Sequence, residues 1–136
     1  MDERMQDLGR RAKRAGFVWR SGCQAFAADQ PIGVGSYYIL CGHSLHAGRQ
    51  IWREWADPQM SPVDLPAGSI PSFQNDATLG CLLAQVRKRW FDDGLFVRPP
   101  NHDSKNWRVF CGPDCVGSGD SEAAALVAAL EGLARK

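Results

Sequence analysis

The feature that most constrains the fold is a regular stripe of apolar residues in the second half of the chain. Between residues 79 and 90, large apolar side chains recur at intervals of three and four, so they share one face of a helix. These residues are Leu79, Leu82, Leu83, Val86 and Trp90. Asn75 or Asp76 is the predicted N-cap, and the Asp-Asp-Gly run at 92–94 ends the helix. A helix with one apolar face needs a second layer to cover that face.

Two further helices are predicted at the ends of the chain. In residues 1–15, Met5, Leu8, Ala12 and Ala15 recur with helical spacing, and Gly16 ends the helix. A last helix begins after Asp120 or Ser121 as N-cap. Its inward residues are predicted to be Ala123, Leu126, Val127, Leu130 and Leu133. The alanines of this helix allow a close approach to a sheet.

Aromatic and β-branched segments bounded by glycine or proline predict the strands. They are 17–19, 36–41, 95–98 and 107–111, and residues 50–55 are a strand or a helical turn. Residues 21–35 predict a loop or an irregular strand, and 112–113 and 117–119 predict turns. Residues 56–71 hold four of the eight prolines and are predicted to be a loop.

These elements predict an α+β fold of order helix, two or three strands, proline-rich loop, helix, two strands and helix. The economical packing is one antiparallel sheet covered by helices, an α/β/α sandwich-like arrangement. With 136 residues the chain is predicted to form a single domain, 1–136. Within it we distinguish a basic helix with strands (1–55), the proline-rich loop (56–71) and an α-β-β-α module (72–136).

Charge and cysteine content exclude several classes of protein. The chain has 16 Lys and Arg against 15 Asp and Glu, a net charge of +1. This balance argues against non-specific coating of nucleic acid and against an acidic DNA mimic. Five cysteines without regular spacing favour a reducing compartment. The N-terminus lacks the apolar region of a signal peptide, and the longest apolar run, 123–130, is too short for a bilayer. We therefore expect a cytoplasmic protein that does not bind membranes.

The second half of the chain also resembles a known family. The segments that carry this resemblance are 70–83 (Ile-Pro-Ser-Phe-Gln-Asn-Asp-Ala-Thr-Leu-Gly-Cys-Leu-Leu), the strands around Trp107 and the closing helix at 121–130. Over residues 68–136 the chain resembles small phage proteins with the phage ABA sandwich domain. The basic helix followed by Trp-Arg, residues 8–20, is similar to the N-terminus of other phage and prophage proteins. The resemblance implies phage origin and a helix–sheet–helix fold, and it brings no active site with it.

Candidate metal and catalytic residues are few. Cys111 and Cys115, four apart, together with Cys41 and His43 or His46, form a zinc site if their strands are neighbours. The alternative is that these thiols are small buried hydrophobic groups. No signature surrounds a Cys/His pair, the glycines match no phosphate-loop fingerprint and the carboxylates do not cluster. We therefore predict no catalytic residue and no cofactor, with a metal-dependent enzyme as the third-ranked hypothesis.

The basic N-terminal helix supplies the predicted ligand site. Arg11, Arg14 and Arg20 are candidates for phosphate contacts, and Trp19 or Tyr37 for stacking on a base. The alternative is a solvated helix face with an inward tryptophan.

Together with the resemblance, this site suggests a phage-encoded, non-enzymatic binding protein that antagonises host defence in the bacterial cytoplasm. Its partner would be a nucleotide signal that it sequesters or a defence protein that it occludes, and we expect a homo-oligomer. The alternative is a nucleic-acid-binding phage accessory protein.

Overall fold

The computed structural model describes residues 3–27, 36–43, 48–54 and 62–134. Three helices are present in these ranges: α1 (Glu3–Arg14), α2 (Asp76–Arg89) and α3 (Glu122–Ala134). The strands are β1 (Gln24–Ala27), β2 (Ser36–His43), β3 (Gln50–Glu54), β4 (Pro62–Val63), β5 (Ile70–Pro71), β6 (Phe96–Arg98), β7 (Trp107–Cys111) and β8 (Asp114–Gly119).

The strands pair in two separate antiparallel sheets. The first has five strands in the order β4-β3-β2-β1-β5, and the second has three in the order β6-β7-β8. The α+β class with antiparallel pairing is confirmed, whereas the prediction of one sheet is wrong. The two sets of strands are separated in the chain by α2, and each strand pairs only within its own set.

The helix boundaries follow the capping residues. The Asn75 side chain accepts a hydrogen bond from the amide of Thr78, which makes Asn75 the N-cap of α2. Ser121 caps α3 in the same way, since its hydroxyl accepts from the amide of Ala124 at 3.1 Å. Gly16 follows α1 in a left-handed conformation, φ 94°, that glycine adopts without strain. All three predicted helices are confirmed.

The first predicted strand is in the wrong place. Residues 17–19 are not a strand, because Val18 exchanges both backbone hydrogen bonds with the side chain of Gln85 instead of with a neighbouring strand. The first strand instead occupies Gln24–Ala27, inside the segment 21–35 for which a loop or an irregular strand was predicted, so the strand alternative holds for these four residues. Two of its four residues are alanines, which have low strand propensity, yet both are buried against β2 and its neighbours.

Glycines and prolines misled the prediction in two other places. The turn at 112–113 is confirmed, but 117–119 belong to β8. These glycines are required by packing, because a β-carbon on Gly117 would lie 2.4 Å from the carbonyl oxygen of Ala125 in α3. The predicted loop at 56–71 contains the short strands β4 and β5, while its residues 56–61 lie outside the described ranges.

The core has two parts. The larger part joins all three helices to the three-stranded sheet, with Leu82, Val86 and Leu126 fully buried. The smaller part lies on the five-stranded sheet around Leu40 and Trp52. Trp19 packs against both parts and so connects them. The apolar stripe of α2 therefore faces the core as predicted.

Candidate ligand-binding face

The three-stranded sheet has one covered face and one open face. Val97 and Val109 lie opposite each other and point toward α3 and the larger core. On either side of them along the strands, two cross-strand pairs point the other way because side chains alternate along a strand. These pairs are Phe96 with Phe110 and Arg98 with Arg108. We call these four residues the Phe/Arg face.

The aromatic rings and cations of the Phe/Arg face form one stack. The Phe96 and Phe110 rings are 5.5 Å apart between centroids and are inclined by 20°. The Arg98 guanidinium carbon lies 5.3 Å from the Phe110 centroid and 6.0 Å from that of Phe96. The Arg108 guanidinium carbon lies 5.3 Å from the Phe110 centroid on its own strand. These distances fall within the reach of cation–π attraction, about 6 Å.

The cations of this face are not neutralised by carboxylates. Among the described residues, neither Arg98 nor Arg108 forms an ion pair, and Nε of Arg108 is buried without a hydrogen-bond partner. A buried donor without an acceptor is unfavourable unless a ligand or water supplies one. Residues of β8 complete the face, where Ser118 lies opposite Arg108 and the exposed Cys115 lies opposite Phe110. The face therefore combines an aromatic surface with unpaired positive charge.

The predicted phosphate ligand Arg11 is already engaged within the molecule. Its Nε and Nη2 donate to the two carboxylate oxygens of Glu131, at 3.1 and 2.5 Å, and so connect α1 to α3. The hydrogen bond to Glu131 raises the pKa of Arg11, in opposition to its partial burial. Arg11 therefore serves the packing of two helices in this structure.

The other predicted ligand residues are not brought together. Trp19 packs edge-to-face on Phe17 and on Trp52, with centroid distances of 5.6 and 5.0 Å. Tyr37 packs on Phe26 within the five-stranded sheet. Arg14 and Arg20 are exposed. Arg11 and Arg20 line different hollows of the surface, so these residues do not share one pocket.

The predicted zinc ligands also lie apart. Cys41 and His43 are exposed on β2 of the five-stranded sheet, whereas Cys111 and Cys115 belong to the three-stranded sheet. Within the described ranges no three His, Cys, Asp or Glu residues are grouped so that they could hold a metal ion. The proposed combination of these four residues is therefore wrong, and His46 lies outside the described residues.

Comparisons with models of protein families, with curated proteins and with solved structures find no match. The resemblance to the phage ABA sandwich domain remains a prediction. In the part of the chain that the structure describes, no helix has the length and apolar character needed to cross a membrane.

Sequence reasoning missed the Phe/Arg face entirely. A signal was present in the alternation Phe-Val-Arg at 96–98 and Arg-Val-Phe at 108–110, in which valine is flanked by an aromatic and a cation. Each segment alone is typical of a strand with one solvent-exposed face. Only the antiparallel register places the two phenylalanines and the two arginines in adjacent pairs.

Proposed function

We propose that this chain is a non-enzymatic binding protein whose Phe/Arg face binds single-stranded nucleic acid. The observation that carries the proposal is the joined stack of Phe96, Phe110, Arg98 and Arg108 on an open sheet face. Aromatic rings stack on bases of any sequence, and arginines contact the phosphates between them. The exposed Arg98 offers donors to such a ligand, while Arg108 adds positive charge beside the Phe110 ring.

An open face favours a strand of nucleotides over a single nucleotide. Sites for small molecules are concave and enclose most of the ligand. The Phe/Arg face is part of a sheet surface, and Phe96 remains 40% exposed at its edge. Several bases and phosphates of a strand can contact such a surface together. Among the two nucleotide-type partners predicted from the sequence, the geometry therefore supports the nucleic-acid ligand better than a sequestered signal molecule.

The biological setting remains part of the proposal. A phage protein of the host cytoplasm that binds single strands would act on replication or transcription intermediates, or deny them to host defence. The resemblance to phage proteins supports this setting, and oligomerisation would place several Phe/Arg faces along one strand.

Fluorescence anisotropy with labelled oligonucleotides tests the proposal. The full chain is titrated onto oligo(dT), oligo(rU) and a DNA duplex, and onto a fluorescent ATP analogue. We expect the single strands to bind most tightly. Two arginine contacts predict a slope of log K against log salt of about −1.4, since each phosphate contact contributes about −0.7 on single strands. Absence of single-strand binding at low salt contradicts the proposal.

Variants locate the site. Phe110→Ala removes a ring on which a base would stack, and loss of one stacked base weakens binding by about 1–3 kcal/mol. The double variant Arg98→Ala with Arg108→Ala removes the two proposed phosphate contacts. Arg14→Glu is the matched control, because Arg14 is an exposed cation on α1. Loss of binding in Arg14→Glu with retention in Phe110→Ala would instead locate the ligand on the basic helix.

A further inference from the structure

The C-terminal end of α2 has an unusual residue at its helix-ending turn. The amide of Phe91 donates to the carbonyl of Lys88, and the amide of Asp92 donates to that of Arg87. These two bonds define a Schellman motif, in which the residue after the cap adopts a left-handed conformation. Phe91 occupies that position with φ 52°, the one non-glycine residue with positive φ among those described. Glycine is favoured there because a β-carbon is unfavourable in this conformation.

The Phe91 ring contributes little to the core. Its exposed fraction is 96%, the highest of the exposed large apolar residues in the described chain. Burial of apolar area therefore does not compensate for the unfavourable backbone conformation. Strained backbone combined with exposure is found where a side chain serves binding more than folding.

Phe91 lies beside a groove that is both apolar and cationic. The groove has a volume of about 380 Å³. Its lining residues are Val18, Arg20, Gln85, Lys88, Arg89 and Phe91. Val18 is 47% exposed and adds a second apolar contact. Among the residues that the structure describes, no carboxylate lines the groove, although Asp93 and Phe91 both line a second hollow.

Two cations of the groove are available to a partner. Arg89 donates to the carbonyls of Ala15 and Gly16, so it is held in place at the end of α1. Within the described residues, the side chains of Arg20 and Lys88 make no hydrogen bond or ion pair. The groove therefore combines these two cations with an exposed ring.

We propose that this groove is a docking site for an acidic segment of a partner protein that packs an apolar side chain against Phe91. Phenylalanine and arginine are enriched in protein interfaces, and arginine is among the residues that dominate binding there. Carboxylates of the partner would pair with Arg20 and Lys88. A second copy of this chain fits less well, because a symmetric contact would bring the same cations together. This site is separate from the Phe/Arg face, and the inference stands without the proposed nucleic-acid function.

Selection of peptides on the full chain tests the inference. A library of random 12-residue peptides is displayed and selected on the immobilised protein, and the enriched peptides are synthesised. We expect Asp or Glu together with Phe, Leu or Trp in the enriched sequences. Their affinity should fall at least tenfold for Phe91→Gly and for Lys88→Glu. It should be unchanged for Arg10→Glu, which alters an exposed cation on α1.

Phe91→Gly separates binding from folding. Glycine suits the left-handed position, so this variant should melt at the same temperature as the parent protein or higher. Lost peptide binding in a folded variant then supports docking at Phe91. Enrichment of non-acidic peptides, equal binding by Phe91→Gly, or no enrichment at all overturns the inference. The same is true if Phe91→Gly abolishes only oligonucleotide binding or only self-association of the chain.

Discussion

The two faces of the three-stranded sheet differ in almost every physical respect although they share the same backbone. The inner face carries valines and glycines pressed against α3, with Val109 fully buried. The outer face carries two phenylalanines and two arginines that contact one another, and neither phenylalanine belongs to the larger core. Adjacent residues of one strand therefore point alternately into the core and away from it.

This difference separates folding from binding within one element. On the inner face, close packing leaves no room for extra atoms, and substitutions act on stability. On the outer face, aromatic area and charge remain exposed, so substitutions act first on what the surface contacts. Both expectations are open to direct test, and the largest effect is expected on the inner face.

Gly117→Val should destabilise the protein more than any substitution on the outer face. A β-carbon at this position would lie 2.4 Å from the carbonyl oxygen of Ala125 and 2.7 Å from the amide nitrogen of Ala129. Both are backbone atoms of α3, so the helix itself must move. We expect a loss of about 3 kcal/mol or more, at the upper end of overpacking effects. Urea denaturation followed by circular dichroism measures it.

Gly80→Ala is the control for the glycine series. Gly80 lies in α2 with no atom within 4 Å of an added β-carbon. Alanine should stabilise the helix by about 0.5–1 kcal/mol. If Gly117→Val does not lower the free energy of unfolding, α3 does not pack on β8 as closely as described.

Val109→Ala and Phe96→Ala compare the two faces directly. Val109 is fully buried, and loss of its two methyl groups should destabilise the protein by about 2 kcal/mol. Phe96 is 40% exposed, and loss of its stacked pair should destabilise by about 1 kcal/mol. Oligonucleotide binding should show the opposite order, with the larger loss in Phe96→Ala. Equal losses of binding in the two variants would mean that the outer face has no special role.

The same contrast explains what the sequence could predict. Helices α2 and α3 were predictable because their apolar periodicity and N-caps are local signals, and Trp107–Cys111 was predicted with its observed bounds. At β1 the sequence did not distinguish a loop from an irregular strand, because Gln-Ala-Phe-Ala has little local strand propensity and depends on pairing with β2. The glycines at 117 and 119 predicted a turn, whereas glycine is required at these positions because α3 packs directly against them. Signals that depend on distant partners were lost.

The candidate sites failed in the same way. Arg11 was predicted to bind phosphate. Its actual partner, Glu131, lies 120 residues further along the chain, so the sequence pattern around Arg11 gave no sign of this ion pair. The Phe/Arg face depends on the register of β6 with β7, and no local pattern fixes that register. Phe91 follows a helix end that was predicted correctly, yet its left-handed conformation becomes evident only from the backbone. Composition and spacing therefore give the candidate residues, whereas contacts decide which of them remain available.

The smallest expected effect is a difference in reactivity between two cysteines on opposite faces of the sheet. Cys111 points toward the core, where burial raises the pKa of its thiol and a hydrogen bond with Asp92 raises it further. At pH 7.5 a smaller fraction of Cys111 than of an ordinary thiol is therefore present as thiolate. Its alkylation should become fast only at a pH above the range in which an ordinary thiol ionises. Cys115 is exposed beside Phe110 and should be alkylated first.

Peptide mapping by mass spectrometry after brief treatment with N-ethylmaleimide measures these rates. Cys41, which is exposed on the five-stranded sheet, is the internal reference. A bound oligo(dT) should slow the alkylation of Cys115 and leave that of Cys41 unchanged, because only Cys115 borders the Phe/Arg face. Protection of both thiols would indicate a ligand that covers more than this face. Protection of neither, under conditions where the oligonucleotide is bound, would move the binding site to another part of the molecule.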